Sequence, residues 1–192
     1  MSDLKTQISE DVKTAMRGGD KARLGVLRML QAELKQREVV ESIELTDAVA
    51  EKVMADARAA VKWPAGGRYI GDWREGEKLA QNGRGMTWTD RSAATSANGA
   101  QCYNCHQVDK KEISFGTIGP SLWNYGKTRG VSDPASPTAA PIVQYTWVKL
   151  WNSKAYSACS NMPRFGHARL LEEQQIRDIM ALLLDPKSPV NQ

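Results

Sequence analysis

The 192-residue sequence predicts an all-α protein in two parts. Three observations lead there. Apolar residues recur at helical spacing through residues 3–60, and two further helices carry start and stop signals near 72–81 and 172–184. Between those last two lies loop-like sequence holding CYNCH, residues 102–106, which contains three of the chain's 3 Cys and 2 His. A segment with so few long helices needs a bound group to organise its core.

The first helix carries Leu4, Ile8, Val12 and Ala15 on one stripe, and the second carries Leu24, Leu27, Leu30 and Leu34. Gly18, Gly19 and Asp20 separate them, with Asp20 placed to cap the second helix. Val49 and Val53 begin a third helix behind Thr46 as its N-cap. This segment has no His, Cys or glycine loop, so it shows no chemistry of its own.

Composition changes after Ala60, where VKWPAGGRYIGDWREGEKLAQNGRG brings Trp, Pro and repeated Gly. From there to Ala140 the chain reads mostly as loop, with clusters such as VSDPASPTAAP. The exception is a helix from Asp72 to Gln81, with Asp72 and Glu75 spaced as a capping box and Gly83 placed to stop it. The final helix, Glu172 to Leu184, shows Ile176, Ile179, Met180 and Leu183 on one face and ends at Asp185-Pro186. Leu171 stands at its expected cap, where Ser, Thr or Asp is usual.

The 41% hydrophobic content suits a globular core, and no 18-residue apolar run exists to span a membrane. The N-terminus shows no signal-peptide core, since Arg28 breaks the patch LGVLRML. Three cysteines are too few for a disulfide framework. The net charge of +4 divides as −1 over residues 1–60 and +5 over the rest. Its basic residues are scattered, with Lys110-Lys111 the only adjacent pair, which gives no support to nucleic-acid binding. A docking surface for an acidic partner is the milder expectation.

Two thiols three apart followed at once by an imidazole suit thioether attachment of haem, with Cys102 and Cys105 meeting the two vinyl groups and His106 reaching the iron. Zinc is one rival, but only Cys159 and His167 remain as further Cys or His ligands. A redox dithiol is the other, and it wants a strand before the motif where RSAATSANGAQ reads as loop.

With haem attached, His106 is the proximal ligand, and the sixth position has five candidates: Met162, His167, Cys159, Met86 and Met180. Met180 lies on the apolar face of the last helix, and Met86 sits near the end of an earlier helix; both read as ordinary. Met162 stands in an Asn-Met-Pro loop, where Pro163 prevents helix and lets an extended segment present the thioether. Its bland alternative is a core methionine filling a gap, and that of His167 is a surface imidazole. Cys159 reads first as a small buried hydrophobe, then as a bridging or modified thiol. The Gly119-Pro120 pair is placed to supply a backbone carbonyl to His106 Nδ1. Trp123, Tyr125, Tyr145, Trp147 and Trp151 are expected in the core or around the haem.

The order of short helix, CxxCH, GPSL, late Met-Pro loop and terminal helix resembles class I cytochrome c. More closely, GTIGPSLWNYGKTRG, APIVQYTWVKLWNSKAYSACSNMPRFG and QQIRDIMALLLDPKSPVN are similar to SoxX, the smaller cytochrome subunit of SoxAX in thiosulfate oxidation. MSDLKTQISEDVKTAMRGGDKARLGVLRMLQAELKQREV, through about Leu45, resembles the opening of the YqeY family of helical domains. These resemblances imply a YqeY-like segment or replaced leader over 1–48 and a cytochrome c domain over 49–192.

The SoxX resemblance implies one haem c held by Cys102 and Cys105, with His106 and Met162 as its iron ligands and no catalytic residue on this chain. It implies a subunit of L-cysteine S-thiosulfotransferase in the periplasm that relays electrons while the catalytic haem sits on a SoxA partner. The SoxYZ carrier and a soluble cytochrome c would be transient partners. Two alternatives are a free cytochrome c carrier and a haem-free helical binding module.

Overall fold

The computed structural model describes residues 4–41, 46–86 and 95–192. Leu45, where the YqeY resemblance ends, and residues 91–94 of the loop expected before Cys102 lie outside the described residues. Those described form helices and short 3-10 turns with no strand, so the protein is all-α. They divide into two compact units, Met1–Ala59 with Lys154–Asn161, and Ala60–Ser153 with Met162–Gln192. The division falls after Ala59, whereas the resemblance placed the boundary after residue 48.

The first unit contains α1 (Leu4–Arg17), α2 (Lys21–Glu41) and α3 (Asp47–Ala59). α1 ends in a Schellman turn: Asp20 N–H donates to Ala15 O at 3.1 Å and Gly19 N–H to Met16 O at 3.3 Å. Gly19 takes φ +66° there, a conformation that glycine adopts without steric cost. Asp20 then caps α2 by accepting from Arg23 N–H at 3.0 Å, and Thr46 caps α3 by accepting from Val49 N–H at 3.3 Å. Both caps are those read from the sequence. Ile8 and Leu34 form the buried centre, with Leu27, Leu30, Val49 and Cys159 packed against it. α3 is tied to this unit by Val49 and by Asp47, whose carboxylate accepts from Leu4 N–H at 3.3 Å. Leu4, expected on the apolar stripe, is half exposed because it lies at the helix start.

The second unit is built around α4 (Trp73–Gln81) and α7 (Glu173–Leu184), with α5 (Tyr125–Thr128) and α6 (Ala140–Trp151) between them in sequence. α4 and α7 touch at Gly76, where a Cβ would fall inside contact distance of the Asp178 backbone carbonyl. Asp72 caps α4 by accepting from Arg74 N–H at 2.9 Å. The expected box with Glu75 is not made: Asp178 Oδ1 accepts the Asp72 N–H at 2.9 Å, and Glu75 pairs with Lys78 at 2.7 Å. α4 stops at Asn82, not Gly83; the Asn82 N–H donates to Lys78 O before the chain turns extended.

α7 begins one residue after the expected cap, because Glu172 and not Leu171 is its N-cap. Gln175 Oε1 accepts the Glu172 N–H at 2.8 Å, the reciprocal half of a capping box. Leu171 is therefore free to be buried as an apolar residue before the helix. Ile176, Ile179, Met180 and Leu184 have almost no exposure, so α7 is buried well beyond one face.

α6 begins at Ala140, where the sequence expected to be loop ends, and no capping side chain marks its start. Pro141 sits in its first turn, where a missing N–H is harmless, and Val143, Trp147, Leu150 and Trp151 are buried. Trp147 is wholly buried, donates Nε1–H to Lys62 O at 2.9 Å and stacks on Trp151 with ring centres 5.7 Å apart. Truncating such a side chain costs about 3–5 kcal/mol. α5 adds a second buried aromatic, Tyr125, whose hydroxyl shares a 2.9 Å hydrogen bond with Thr146.

Candidate functional site

Cys102 opens a 3-10 turn, Cys102–Asn104, that closes when the N–H groups of Cys105 and His106 both donate to Cys102 O, at 3.1 and 2.9 Å. Gln101 enters this turn in the left-handed region at φ 47°, a strained conformation for a residue with a side chain. Its N–H donates to Asn82 O, while Ala100 N–H donates to Leu79 O, so the motif is hung from the end of α4. Gln175 on α7 adds a second support by donating its amide to the carbonyls of Ser96 and Asn98.

His106 is fixed from the far side by the segment that follows. Gly119 N–H donates to Cys105 O at 2.8 Å, and a Cβ on Gly119 would overlap the imidazole ring. Pro120 O lies 2.7 Å from His106 Nδ1. A carbonyl only accepts, so Nδ1 carries a proton, and in the neutral tautomer this selects Nε2 is the nitrogen with the lone pair. Cys102, Cys105, His106 and Pro120 thus share one knot of backbone hydrogen bonds, completed by Gly116 N–H to Tyr103 O and Leu122 N–H to Gln107 O.

All three cysteines are free thiols. Cys102 packs against the cluster of Ala80, Val108, Leu182 and Val190, and burial pushes its thiol up to about 12. A redox dithiol needs the opposite, a thiol lowered toward a thiolate at neutral pH. Among the described residues no three His, Cys, Asp or Glu side chains gather as a metal site, so the zinc reading lacks its ligands. Two free thiols three residues apart, beside an imidazole engaged through Nδ1 by Pro120 O and crowded by Gly119, fit covalent haem.

Met162 stands outside that knot, on a loop fastened to the end of α6. Ser153 Oγ donates to Met162 O at 2.6 Å, His167 N–H donates to Trp151 O at 3.0 Å, and Gly166 lies flat on the Trp151 indole. His167 itself is exposed. Met180 is buried in α7 as core, and Met86 is half-buried with its N–H on Gly83 O. Cys159 belongs to the first unit, half-buried against Ile8 and Leu34, and burial raises its thiol against the opposing pull of Arg37 and Lys154. Of the aromatic residues, Trp147, Trp151 and Tyr125 are core, Trp123 is half-buried beneath the Lys110 ammonium at 5.3 Å, and Tyr145 is partly exposed. Sequence reasoning missed Ser153, Gly166 and Gln175, whose partners are not their sequence neighbours and leave no local signal.

Residues 5–62 match the family model of the YqeY-like proteins, and residues 92–186 match that of cytochrome c. The chain is 38% identical over 136 residues to an uncharacterized lipoprotein of Aquifex aeolicus (strain VF5), covering 71% of this chain. It spans 60% of that relative's length. The cytochrome c match supports a haem electron-carrier function, and the cofactor is haem c, covalently bound.

Proposed function

We propose that Cys102 and Cys105 attach one haem c, that His106 and Met162 hold its iron, and that the chain relays single electrons between protein partners. The bound haem supplies the one-electron couple. The observation that carries this reading is the His106 ring, wedged by Gly119 and held through Nδ1 by Pro120 O, which leaves Nε2 free as a donor. A carbonyl partner of this kind fixes the ring and raises its basicity as a ligand. Histidine and methionine together fill the coordination sphere in both oxidation states, leaving no open position for a substrate.

The finer reading is that the relay serves a SoxAX-type thiosulfate-oxidising enzyme, a cysteine S-thiosulfotransferase whose catalytic haem sits on a SoxA-type partner. Its support is the resemblance of 116–130, 140–166 and 174–191 to SoxX. A SoxYZ carrier and a soluble cytochrome c are then the transient partners. Haem attachment and a relative described as a lipoprotein both favour an extracytoplasmic place, the periplasm in this reading. The 1–59 helices are proposed as an appended YqeY-like module.

The test is expression behind a periplasmic leader with haem-maturation machinery, followed by mass measurement. One added haem, lost from Cys102→Ala/Cys105→Ala, supports attachment; its absence from the parent chain refutes it. Co-elution with a SoxA-type subunit separates the finer reading from a free carrier.

A further inference from the structure

We propose that Ser153 and Gly166 are positioning residues for the Met162 thioether, a two-point clasp that seats its loop on the end of α6; the proposal rests on the reading of Met162 as an iron ligand. Ser153 has no exposed surface, and its hydroxyl donates to Met162 O at 2.6 Å, so it grips the backbone of the ligand residue itself. Pro163 follows at once and biases Met162 toward extended backbone. At the other end of the loop Gly166 lies against the Trp151 indole so closely that a Cβ would overlap Cδ2 and Cε3. The neighbouring His167 N–H donates to Trp151 O at 3.0 Å, and Phe165 O accepts from Leu170 and Leu171 N–H.

A methionine side chain has three freely turning bonds and a weak donor atom, so thioether ligation is easily lost to a competitor. Fixing the loop beforehand removes the ordering entropy that ligation otherwise pays, and so raises the thioether's effective concentration at the iron. Trp151 is itself held by stacking on Trp147, so the clasp is built on a rigid part of the second unit. Ser153 and Gly166 act through Met162.

The experiment uses the full haem-loaded chain and follows the thioether-to-ferric-iron charge-transfer band while imidazole is added as a competing ligand. Ser153→Ala and Gly166→Ala are expected to lower the imidazole concentration that abolishes the band by about tenfold, with Ser153→Thr, which keeps the hydroxyl, near the parent value. Met162→Ala sets the zero. A band in the parent chain that responds equally to imidazole in all three variants overturns the clasp and leaves the ligand reading intact. Absence of the band from the parent chain overturns both. Should Gly166→Ala fail to fold, the Ser153→Ala and Ser153→Thr comparison decides alone.

Discussion

Asp178, buried in α7, accepts the backbone N–H of Asp72 at 2.9 Å, and Asp72 is the residue that caps α4. The same carboxylate oxygen accepts from Gln174 Nε2 at 2.9 Å, so one atom ties the start of α4 to the middle of α7. Removing it by Asp178→Ala strands a backbone donor at the main helix crossing and is expected to destabilise the protein by about 1–3 kcal/mol. Gly76→Ala forces the helices apart at the same crossing, with a loss of about 1–3 kcal/mol. Denaturant unfolding of the haem-loaded chain measures both, and parent-like midpoints would show that the crossing carries no such weight.

Gly119→Ala drives a methyl group into the His106 ring and pulls Nδ1 away from Pro120 O. Supports of this kind around a metal ligand are worth about 10–100-fold in affinity. Acid titration of the haem-loaded variant should therefore show loss of the imidazole ligand at a higher pH than in the parent. Gly130→Ala, at a glycine with no neighbour within contact range, tests strain from a positive φ without touching the site.

Burial raises the Tyr125 hydroxyl above its ordinary value of 10.0, while its hydrogen bond to Thr146 and the Arg129 guanidinium, 3.7 Å from the ring centre, pull the other way. A raised value means the folded state holds this proton more tightly than the unfolded chain does. Its stabilisation is complete below the ordinary value and is lost as pH rises through the folded value. Tyr125→Phe should give up about 1 kcal/mol at neutral pH with the Thr146 bond, then lose less than the parent as pH climbs past about 10. Unfolding midpoints of the two proteins across that range carry the comparison, and parallel pH curves would remove Tyr125 from it.

The second unit closes its core with short helices joined by long connections, and Cys102, Tyr103 and Leu122 are only partly buried where they meet the Val108 cluster. Haem-free chain is expected to exchange its amides rapidly throughout residues 60–192 outside the α4 and α7 contact, because ligand binding adds to the stability of the folded state alone. Hydrogen exchange with and without the attached group reads this directly. Equal protection in the two forms would mean that the polypeptide core suffices.

Features resolved within a few residues were legible from the sequence. The Asp20 and Thr46 caps and the Cys102–His106 turn follow from local chemistry, and the Pro120 carbonyl, 14 residues from His106, was legible because the motif itself calls for such a partner. Where a distant group competes, local reading fails: Asp72 and Glu75 have box spacing, but Asp178 takes the N–H that the box would have used. α6 was obscured by Pro141 and by β-branched and aromatic residues of modest helix propensity, although its buried positions repeat at helical spacing. Ser153 and Gly166 have meaning only after the chain returns to the end of α6, since a serine and a glycine in isolation specify no partner.

The first unit is discontinuous, because residues Lys154–Asn161 are grouped with the helices of Met1–Ala59. Cys159 within that insert packs against the cluster of Ile8 and Leu34, side chains more than a hundred residues earlier in the chain. The two parts are therefore not modules that a single cut can exchange. Deleting residues 1–59 strips the insert of its apolar cover, and it does so immediately upstream of Met162. Exchanging residues 1–59 for another segment would therefore call for matching changes in 154–161, where the small apolar core of the first unit is completed.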